Sequence, residues 1–202
     1  MTARVLVVCT ANVCRSRAAE ELLRDALAGA GVPAVVTSAG VRAVDGAPAC
    51  ATMVRLLRER GLRLDEAEGA RRVTSELLEG QDLVLVPERV HRAALARLLP
   101  AGRVRTFTLL EAAALAEALP ERVGGDPSRE RVRTQVAWMD RARGKVALPV
   151  GELRPGLRGL LRGRPLEPLD VPDVHAGSLR AHRQTLERVD DAITRLVRCL
   201  AS

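Results

Sequence analysis

The sequence predicts an α/β fold in which a central four-stranded parallel sheet is flanked by helices. Over the first 110 residues, short apolar runs rich in β-branched residues alternate with segments of helical periodicity. This alternation is typical of parallel strands joined by crossover helices, which cover both faces of the sheet. A chain of 202 residues can bury one well-packed core, so we expect a single domain over residues 1–202.

The individual elements follow from the positions of apolar residues. Apolar runs bounded by polar residues predict strands over residues 4–8, 34–37, 83–86 and 103–108, with a turn at residues 38–40. Helical periodicity predicts helices over residues 16–30, 47–60, 89–99, 111–119, 129–143 and 179–200. Residues 149–168 are rich in glycine, proline, leucine and arginine and are expected to form a loop or a short helix.

Composition narrows the classes of partner. The net charge is +7, but the arginines are spread along the whole chain and aromatic residues make up only 1%, which leaves few rings to stack on bases. We therefore expect no nucleic-acid partner. No apolar run approaches the roughly 18 residues of a membrane helix, and the N-terminal run is too short for a signal peptide. We expect no membrane partner and a cytoplasmic location.

The loop after the first predicted strand carries the candidate chemistry. It starts with Cys9, has Arg15 six positions later, and is followed by a helix. In parallel sheets such a loop lies at the carboxyl edge, where backbone N–H groups and a helix N-terminus attract anions. These donors favour a cysteine thiolate, and an arginine can grip two phosphate oxygens at once. The expected phosphate-binding residues are Thr10, Ala11, Asn12, Val13, Cys14, Arg15 and Ser16.

Two side chains of this loop are suited to supporting the nucleophile. Ser16 can donate a hydrogen bond to the sulfur of Cys9. Asn12 tolerates a positive φ better than most residues and can hold an unusual loop conformation. The loop is therefore predicted to aim Cys9 at a phosphorus atom.

At this point the chain resembles the low-molecular-weight protein tyrosine phosphatases. Their opening motif is Cys-x-Gly-Asn-x-Cys-Arg-Ser-Pro, and residues 9–17 here read CTANVCRSR. Further similarity lies at residues 37–40, Gly61, residues 82–86 with His91, residues 171–173 and the closing helix. The resemblance implies a flavodoxin-like three-layer fold with an insertion at about residues 109–168. It also implies a phosphorylated protein or a small phosphomonoester as substrate, and no cofactor or metal.

The resemblance assigns catalytic roles to three residues. Cys9 would form a phosphocysteine intermediate, and Arg15 would bind the phosphoryl oxygens. Asp173 would protonate the leaving oxygen and then activate water. Asp126, which is followed by proline as the acid of this family usually is, offers a second candidate. We favour Asp173 because the acid of the family lies just before the last helix.

The resemblance also implies supporting roles. Ser38 would brace Asn12 from the end of the neighbouring strand. Cys14 would pair reversibly with Cys9 under oxidation, although a packing role for Cys14 is an equal alternative. Cys50 and Cys199 are expected to be ordinary buried or half-buried cysteines.

Several positions depart from the family pattern. Ala11 replaces a glycine and would be strained at positive φ, Arg17 replaces the proline at the helix start, and Val174 replaces the proline after the acid. The chain has no tyrosine to line the pocket mouth, and His175 is a candidate in its place. We expect the three histidines, His91, His175 and His182, not to be catalysts, and only His175 to lie near the site.

Three functions remain open at this point. Hydrolysis of a phosphomonoester is favoured, and Val13 favours phosphotyrosine, since members acting on phosphoarginine tend to carry threonine there. Arsenate reduction is the second, but it needs further cysteines and residues 81–95 contain none. The third is a catalytically weak phosphate-binding regulatory module.

Overall fold

A four-stranded parallel sheet forms the centre of the molecule. The computed structural model describes residues 2–118, 128–147 and 168–201. The strands run over Ala3–Cys9 (β1), Ala34–Gly40 (β2), Leu83–Val86 (β3) and Thr106–Thr108 (β4). They are arranged in the order β2-β1-β3-β4, and all of the pairings are parallel. The predicted flavodoxin-like α/β fold is confirmed.

Helices follow the strands, and all of them except the short helix Ser75–Glu79 were predicted from the hydrophobic periodicity. They span Arg15–Gly29 (α1), Ala51–Arg58 (α2), Ser75–Glu79 (α3), Arg89–Leu98 (α4), Leu109–Glu117 (α5), Arg129–Ala142 (α6) and Leu179–Ala201 (α7). A 3₁₀ helix, Pro100–Arg105, precedes β4. None of the helices in these described ranges is long and apolar enough to cross a membrane.

Alternating side chains of the strands form two cores. One face of β1 and β3 packs against α1, α5, α6 and α7, and its strand residues are Val5, Val7, Leu83 and Leu85. The opposite face packs against α3 and α4 through Leu6, Val8, Val84 and Val86. All four residues of β3 are buried, as expected for a central parallel strand covered on both sides.

The structure corrects three predicted boundaries. The predicted turn at residues 38–40 is instead the end of β2, which pairs with β1 as far as the couple Cys9 and Gly40. The second helix begins at Ala51 rather than at residue 47, because Pro48 disfavours helical backbone in the residue before it. The strand predicted from residue 103 begins at Thr106, since the preceding residues form the 3₁₀ helix.

The C-terminal half is tied to the same core. A capping box of Thr108 and Glu111 starts α5, which packs against α7. In α7 the predicted apolar stripe is buried except for Leu179, which is exposed, and Leu186, Ile193 and Leu196 are almost fully enclosed. The insertion at about residues 109–168 stays a prediction, and both Asp126 and residues 148–167 lie outside the described residues.

Candidate active site

The candidate site lies at the carboxyl end of β1. This strand ends at Cys9, and α1 begins at Arg15 after a short loop. Because β1 is flanked by β2 on one side and β3 on the other, the loop opens at the point where the strand order reverses. Open parallel sheets bind ligands at such switch points. In this loop Thr10, Ala11 and Val13 are only partly buried, so solvent reaches it.

Two donors converge on the sulfur of Cys9. The Ser16 hydroxyl lies 3.0 Å from Sγ, and the backbone N–H of Asn12 donates to Sγ over 3.3 Å. Cys9 itself is only 3% exposed. Hydrogen bonds from neutral donors stabilise a thiolate in a buried place, where it would otherwise be costly. The surroundings of Cys9 therefore fit a nucleophile.

Asn12 holds the loop in shape. Its φ is 58°, and it is the one non-glycine residue with positive φ in the part of the chain that the structure describes, as the sequence predicts. Its side-chain amide donates to Ser16 over 2.9 Å and to Ser38 over 2.7 Å. The oxygen of the same side-chain amide, Oδ1, accepts a hydrogen bond from the backbone N–H of Arg71 at 2.9 Å. Ser38 therefore lies where a brace for Asn12 is expected.

A chain of hydrogen bonds runs on from Ser38 into the protein. The Ser38 hydroxyl donates to the carboxylate of Glu20 over 2.6 Å. Burial raises the pKa of Glu20, while the hydrogen bond from Ser38 and the charges of Arg17 and Arg24 act against that rise. The chain Glu20–Ser38–Asn12 thus connects a buried carboxylate on α1 with the phosphate-binding loop.

Arg17, which replaces the proline of the family motif at the helix start, takes part in this network. Its side chain is 3% exposed and pairs with Glu20 at 3.2 Å and Glu68 at 3.3 Å. It also donates to the backbone carbonyls of Asp65 and Glu68 over 2.8 and 3.0 Å. Where the family motif has a proline, this chain therefore has a buried clamp between α1 and residues 65–68.

Gly40 lets β2 approach the loop closely. A Cβ at this position would lie 2.7 Å from the Thr10 carbonyl oxygen and 2.8 Å from the Asn12 nitrogen, closer than real Cβ contacts allow. The strain expected at Ala11 is absent, because Ala11 is not among the described residues with positive φ. The glycine that the loop requires therefore lies on the neighbouring strand.

Arg15 is enclosed by carboxylates. Its guanidinium pairs with Asp173 at 2.9 Å, donates to Glu88, and donates to the backbone carbonyl of Val171 over 3.1 Å. Burial opposes its charge, yet the charges of Asp173, Cys9 and Glu88 together raise the pKa of Arg15. Glu88 was not predicted as a site residue, although it directly follows Pro87 after the end of the central strand β3, where ligand-binding residues are expected.

Asp173 reaches the loop from the segment before α7. One carboxylate oxygen contacts Arg15, and the other accepts from the backbone N–H of His175 at 3.2 Å. The side chain remains 52% exposed, so it can be reached by a substrate. Val174, next in the chain, is buried. Asp173, which we favoured as the acid because it lies just before the last helix, is therefore adjacent to Arg15.

His91 corrects the expectation that only His175 lies near the site. Nε2 of His91 is 2.8 Å from the Thr10 hydroxyl, so this buried imidazole supports the loop from α4. Burial, and then the charge of Arg15, lower the pKa of His91 to about 4, with Asp173 acting in the opposite direction. His91 is consequently neutral at physiological pH.

Cys14 contacts a second cysteine. Its hydrogen bond with Cys50, followed by burial, raises the pKa of Cys14, and the same bond is the main reason why the pKa of Cys50 is lowered to about 4. Cys50 also lies 3.5 Å from Nε2 of His182. None of the four cysteines, all of which lie within the described residues, forms a disulfide. A reversible Cys9–Cys14 disulfide stays a prediction.

Comparison with known proteins agrees with this geometry. Residues 4–143 match the model of the family described as low molecular weight phosphotyrosine protein phosphatase. The chain belongs to this family. Its members are cysteine-dependent phosphatases. A phosphate-binding role for the loop from Cys9 to Ser16 stays a prediction.

Individual relatives match over about half of the chain, and the match spans about two thirds of their own length. The Escherichia coli K12 protein called low molecular weight protein-tyrosine-phosphatase Etp is 38% identical over 103 residues, which are 51% of this chain and 66% of Etp. The protein-arginine-phosphatase of Bacillus subtilis is 35% identical over 107 residues, 53% of this chain and 71% of that protein. A crystal structure of a Bacillus subtilis YwlE mutant superposes over 100% of both chains with a TM-score of 0.68 at 23% identity, which supports the fold.

Proposed function

We propose that this protein hydrolyses phosphomonoesters through a phosphocysteine intermediate on Cys9. The observation that carries the proposal is the convergence of the Ser16 hydroxyl and the Asn12 N–H on the Cys9 sulfur, in a loop that also presents Arg15. Asp173, at 2.9 Å from Arg15, supplies an acid at the same place. Nucleophile, anion-binding cation and acid are the three groups that phosphoryl transfer to a thiolate requires.

In the first step the Cys9 thiolate attacks phosphorus in line with the ester oxygen. The S–P bond forms while the P–O bond to the leaving group breaks. Arg15 and the loop N–H groups balance the charge on the equatorial phosphoryl oxygens. Asp173, in its protonated form, gives its proton to the departing oxygen, so the product leaves as a neutral alcohol or phenol.

In the second step water attacks the phosphocysteine. The Asp173 carboxylate takes a proton from the water, an O–P bond forms, and the S–P bond breaks. The electron pair returns to the Cys9 sulfur, where Ser16 and Asn12 donate to it. Inorganic phosphate leaves and Asp173 is again an acid, so the cycle consumes one water and needs no cofactor.

The substrate proposed is a phosphotyrosine-bearing protein or a small aryl phosphate. Similar proteins include one named for tyrosine and one named for arginine phosphatase activity, so the comparisons leave both open. Val13 supports phosphotyrosine, because a branched apolar side chain can pack beside an aromatic ring. A panel of phosphopeptides checks this choice, and faster turnover of phosphoarginine than of phosphotyrosine would contradict it.

The mechanism is tested by hydrolysis of para-nitrophenyl phosphate between pH 5 and 8. We expect Cys9→Ser to abolish turnover and Asp173→Ala to lower kcat by about 100-fold or more. Cys199→Ser serves as the matched control, since Cys199 lies on α7 away from the loop, and should retain full activity. Turnover that survives in Cys9→Ser would refute the proposal.

The two other functions give different results in simple assays. A phosphate-binding module, the alternative that Ala11, Arg17, Val174 and the segment at about residues 109–168 motivate, would bind phosphate without any burst of product. Against it, Ala11 is not among the described residues with positive φ, and Arg17 is held by ion pairs with Glu20 and Glu68. An arsenate reductase would form arsenite in a thiol-dependent manner, and we expect none. A single domain over residues 1–202 and a cytoplasmic location complete the proposal.

A further inference from the structure

A second cluster of reactive side chains lies beside the phosphate-binding loop. The sulfur atoms of Cys14 and Cys50 and a ring nitrogen of His182 all lie within 4.8 Å of one another, and all three residues are buried. A backbone hydrogen bond of 2.7 Å from Cys50 to Val13 fixes the start of α2 against the loop. The cluster therefore joins three separate parts of the fold: the loop, α2 and α7.

The imidazole of His182 is oriented as in a metal ligand. Nδ1 lies 3.0 Å from the backbone carbonyl of Ser178. A carbonyl only accepts, so Nδ1 carries a proton, and Nε2 is the ring nitrogen that faces Cys50. Histidines that bind metals are held in this way, with the other ring nitrogen donating to a carbonyl or carboxylate.

The distances suit a tetrahedral ion. Zinc binds sulfur at about 2.3 Å and imidazole nitrogen at about 2.0 Å, which places these two ligand atoms about 3.5 Å apart. The Cys50 sulfur and Nε2 of His182 are separated by 3.5 Å.

Charge and softness favour zinc over other cations. Two thiolates in a buried place are costly unless a cation compensates them. A divalent ion with two thiolates and neutral imidazole is neutral overall, and sulfur and nitrogen ligands select zinc rather than magnesium or calcium. We propose that Cys14, Cys50 and His182 form a Zn²⁺ site that ties the phosphate-binding loop to α2 and α7.

The site departs from the sequence-based expectation of no metal. Short Cys-x₂-Cys spacings mark most zinc sites in sequences, whereas these ligands come from three distant segments. Ligation through the Cys14 sulfur leaves its backbone N–H free for phosphate. It also removes Cys14 from any disulfide with Cys9, so the metal and that disulfide exclude each other.

Cobalt(II) titration of the reduced full-length chain tests the site, because thiolate-bound tetrahedral cobalt has intense visible and near-ultraviolet absorption. We expect one equivalent to bind, Zn²⁺ to displace it, and Zn²⁺ to raise Tm. Cys50→Ser and His182→Gln should each weaken binding by at least about tenfold and abolish the Tm shift. Circular dichroism checks that both variants fold.

Two control variants separate this site from the active-site thiol. Cys199→Ser and Cys9→Ser should bind cobalt with the same stoichiometry and spectrum as the unmodified chain. Absence of equimolar binding by the reduced chain would overturn the proposal. Binding that is lost in Cys9→Ser and kept in Cys50→Ser and His182→Gln would also overturn it, since the ion would then belong to the catalytic cysteine.

Discussion

The Asp173 carboxylate lies 2.9 Å from the guanidinium of Arg15. The proposed acid therefore contacts the same guanidinium that is proposed to bind phosphate. A phosphate dianion and an ionised carboxylate cannot share this guanidinium without repulsion. Asp173 must therefore release Arg15 as substrate binds, which frees its carboxyl group for the role of acid in the proposed mechanism.

The first prediction concerns this competition. Asp173→Asn should lower kcat for para-nitrophenyl phosphate by about 100-fold, because the amide is no acid. The same variant should bind inorganic phosphate several-fold more tightly, because the competing negative charge is gone. The inhibition constant of phosphate at pH 6 measures this, with Asp190→Asn as the control, because the half-buried Asp190 on α7 pairs with Arg60 instead. An unchanged inhibition constant would show that Asp173 does not compete for Arg15.

The second prediction concerns Gly40. In Gly40→Ala the new Cβ would meet backbone atoms of Thr10 and Asn12, so the loop must shift. A shift of about 1 Å at a reacting group costs on the order of 100-fold in rate, and we expect a loss of kcat/KM of that size. Gly29→Ala is the matched control, because nothing lies within 4 Å of its added Cβ. Equal activities of the two variants would contradict this reading of Gly40.

The third prediction concerns the buried clamp at Arg17. Arg17→Met should reduce the free energy of unfolding by about 3–5 kcal/mol, because Glu20 loses a partner in a buried place. Urea denaturation of the two proteins gives this difference. Arg55→Met removes an exposed ion pair with Glu59 and should change stability little. If the two substitutions lower the free energy of unfolding equally, Arg17 does not stabilise the contact between α1 and residues 65–68.

The fourth prediction concerns His91 and pH. The pKa of His91 is about 4 in the fold, against an ordinary value of 6.5, so between these pH values the unfolded chain binds more protons. Stability is therefore lost as pH falls from about 7 toward 4, by roughly 3 kcal/mol from this group. In His91→Gln, which retains a side-chain donor for Thr10, this part of the loss should disappear. Urea denaturation at several pH values gives the free energy of unfolding of both proteins. If the two free energies decline in parallel as pH falls, His91 does not contribute to the pH dependence.

Much of the fold was predictable because its signals are local. The apolar run of β3, the periodicity of α7 and the order of strands and helices each depend on neighbouring residues. The loop from Cys9 to Ser16 was identified for the same reason, since its groups are close in sequence. The positive φ of Asn12 followed from its residue type and position.

The remaining features arise from contacts between distant segments. Glu88 meets Arg15 only because β3 lies beside β1, and Arg17 finds its partners in a loop some fifty residues away. His91 was discounted because a lone histidine in a helix is usually unremarkable by sequence. The cluster of Cys14, Cys50 and His182 likewise needs three parts of the chain to meet. Contacts of this kind cannot be predicted from a short sequence pattern.

The register of β1 and β2 has a consequence for folding fidelity. Cys9 and Gly40 are the last residue pair in the register of β1 and β2. A shift of this register by one residue would bring Ala39 or Val41 opposite Cys9. Each of these residues carries a Cβ, and a slip also turns alternate side chains to the wrong face of the sheet. In a molecule with mispaired strands the loop could not take the shape that the proposed mechanism requires. Under that proposal, turnover reports on strand pairing, because only molecules in the correct register would hydrolyse substrate.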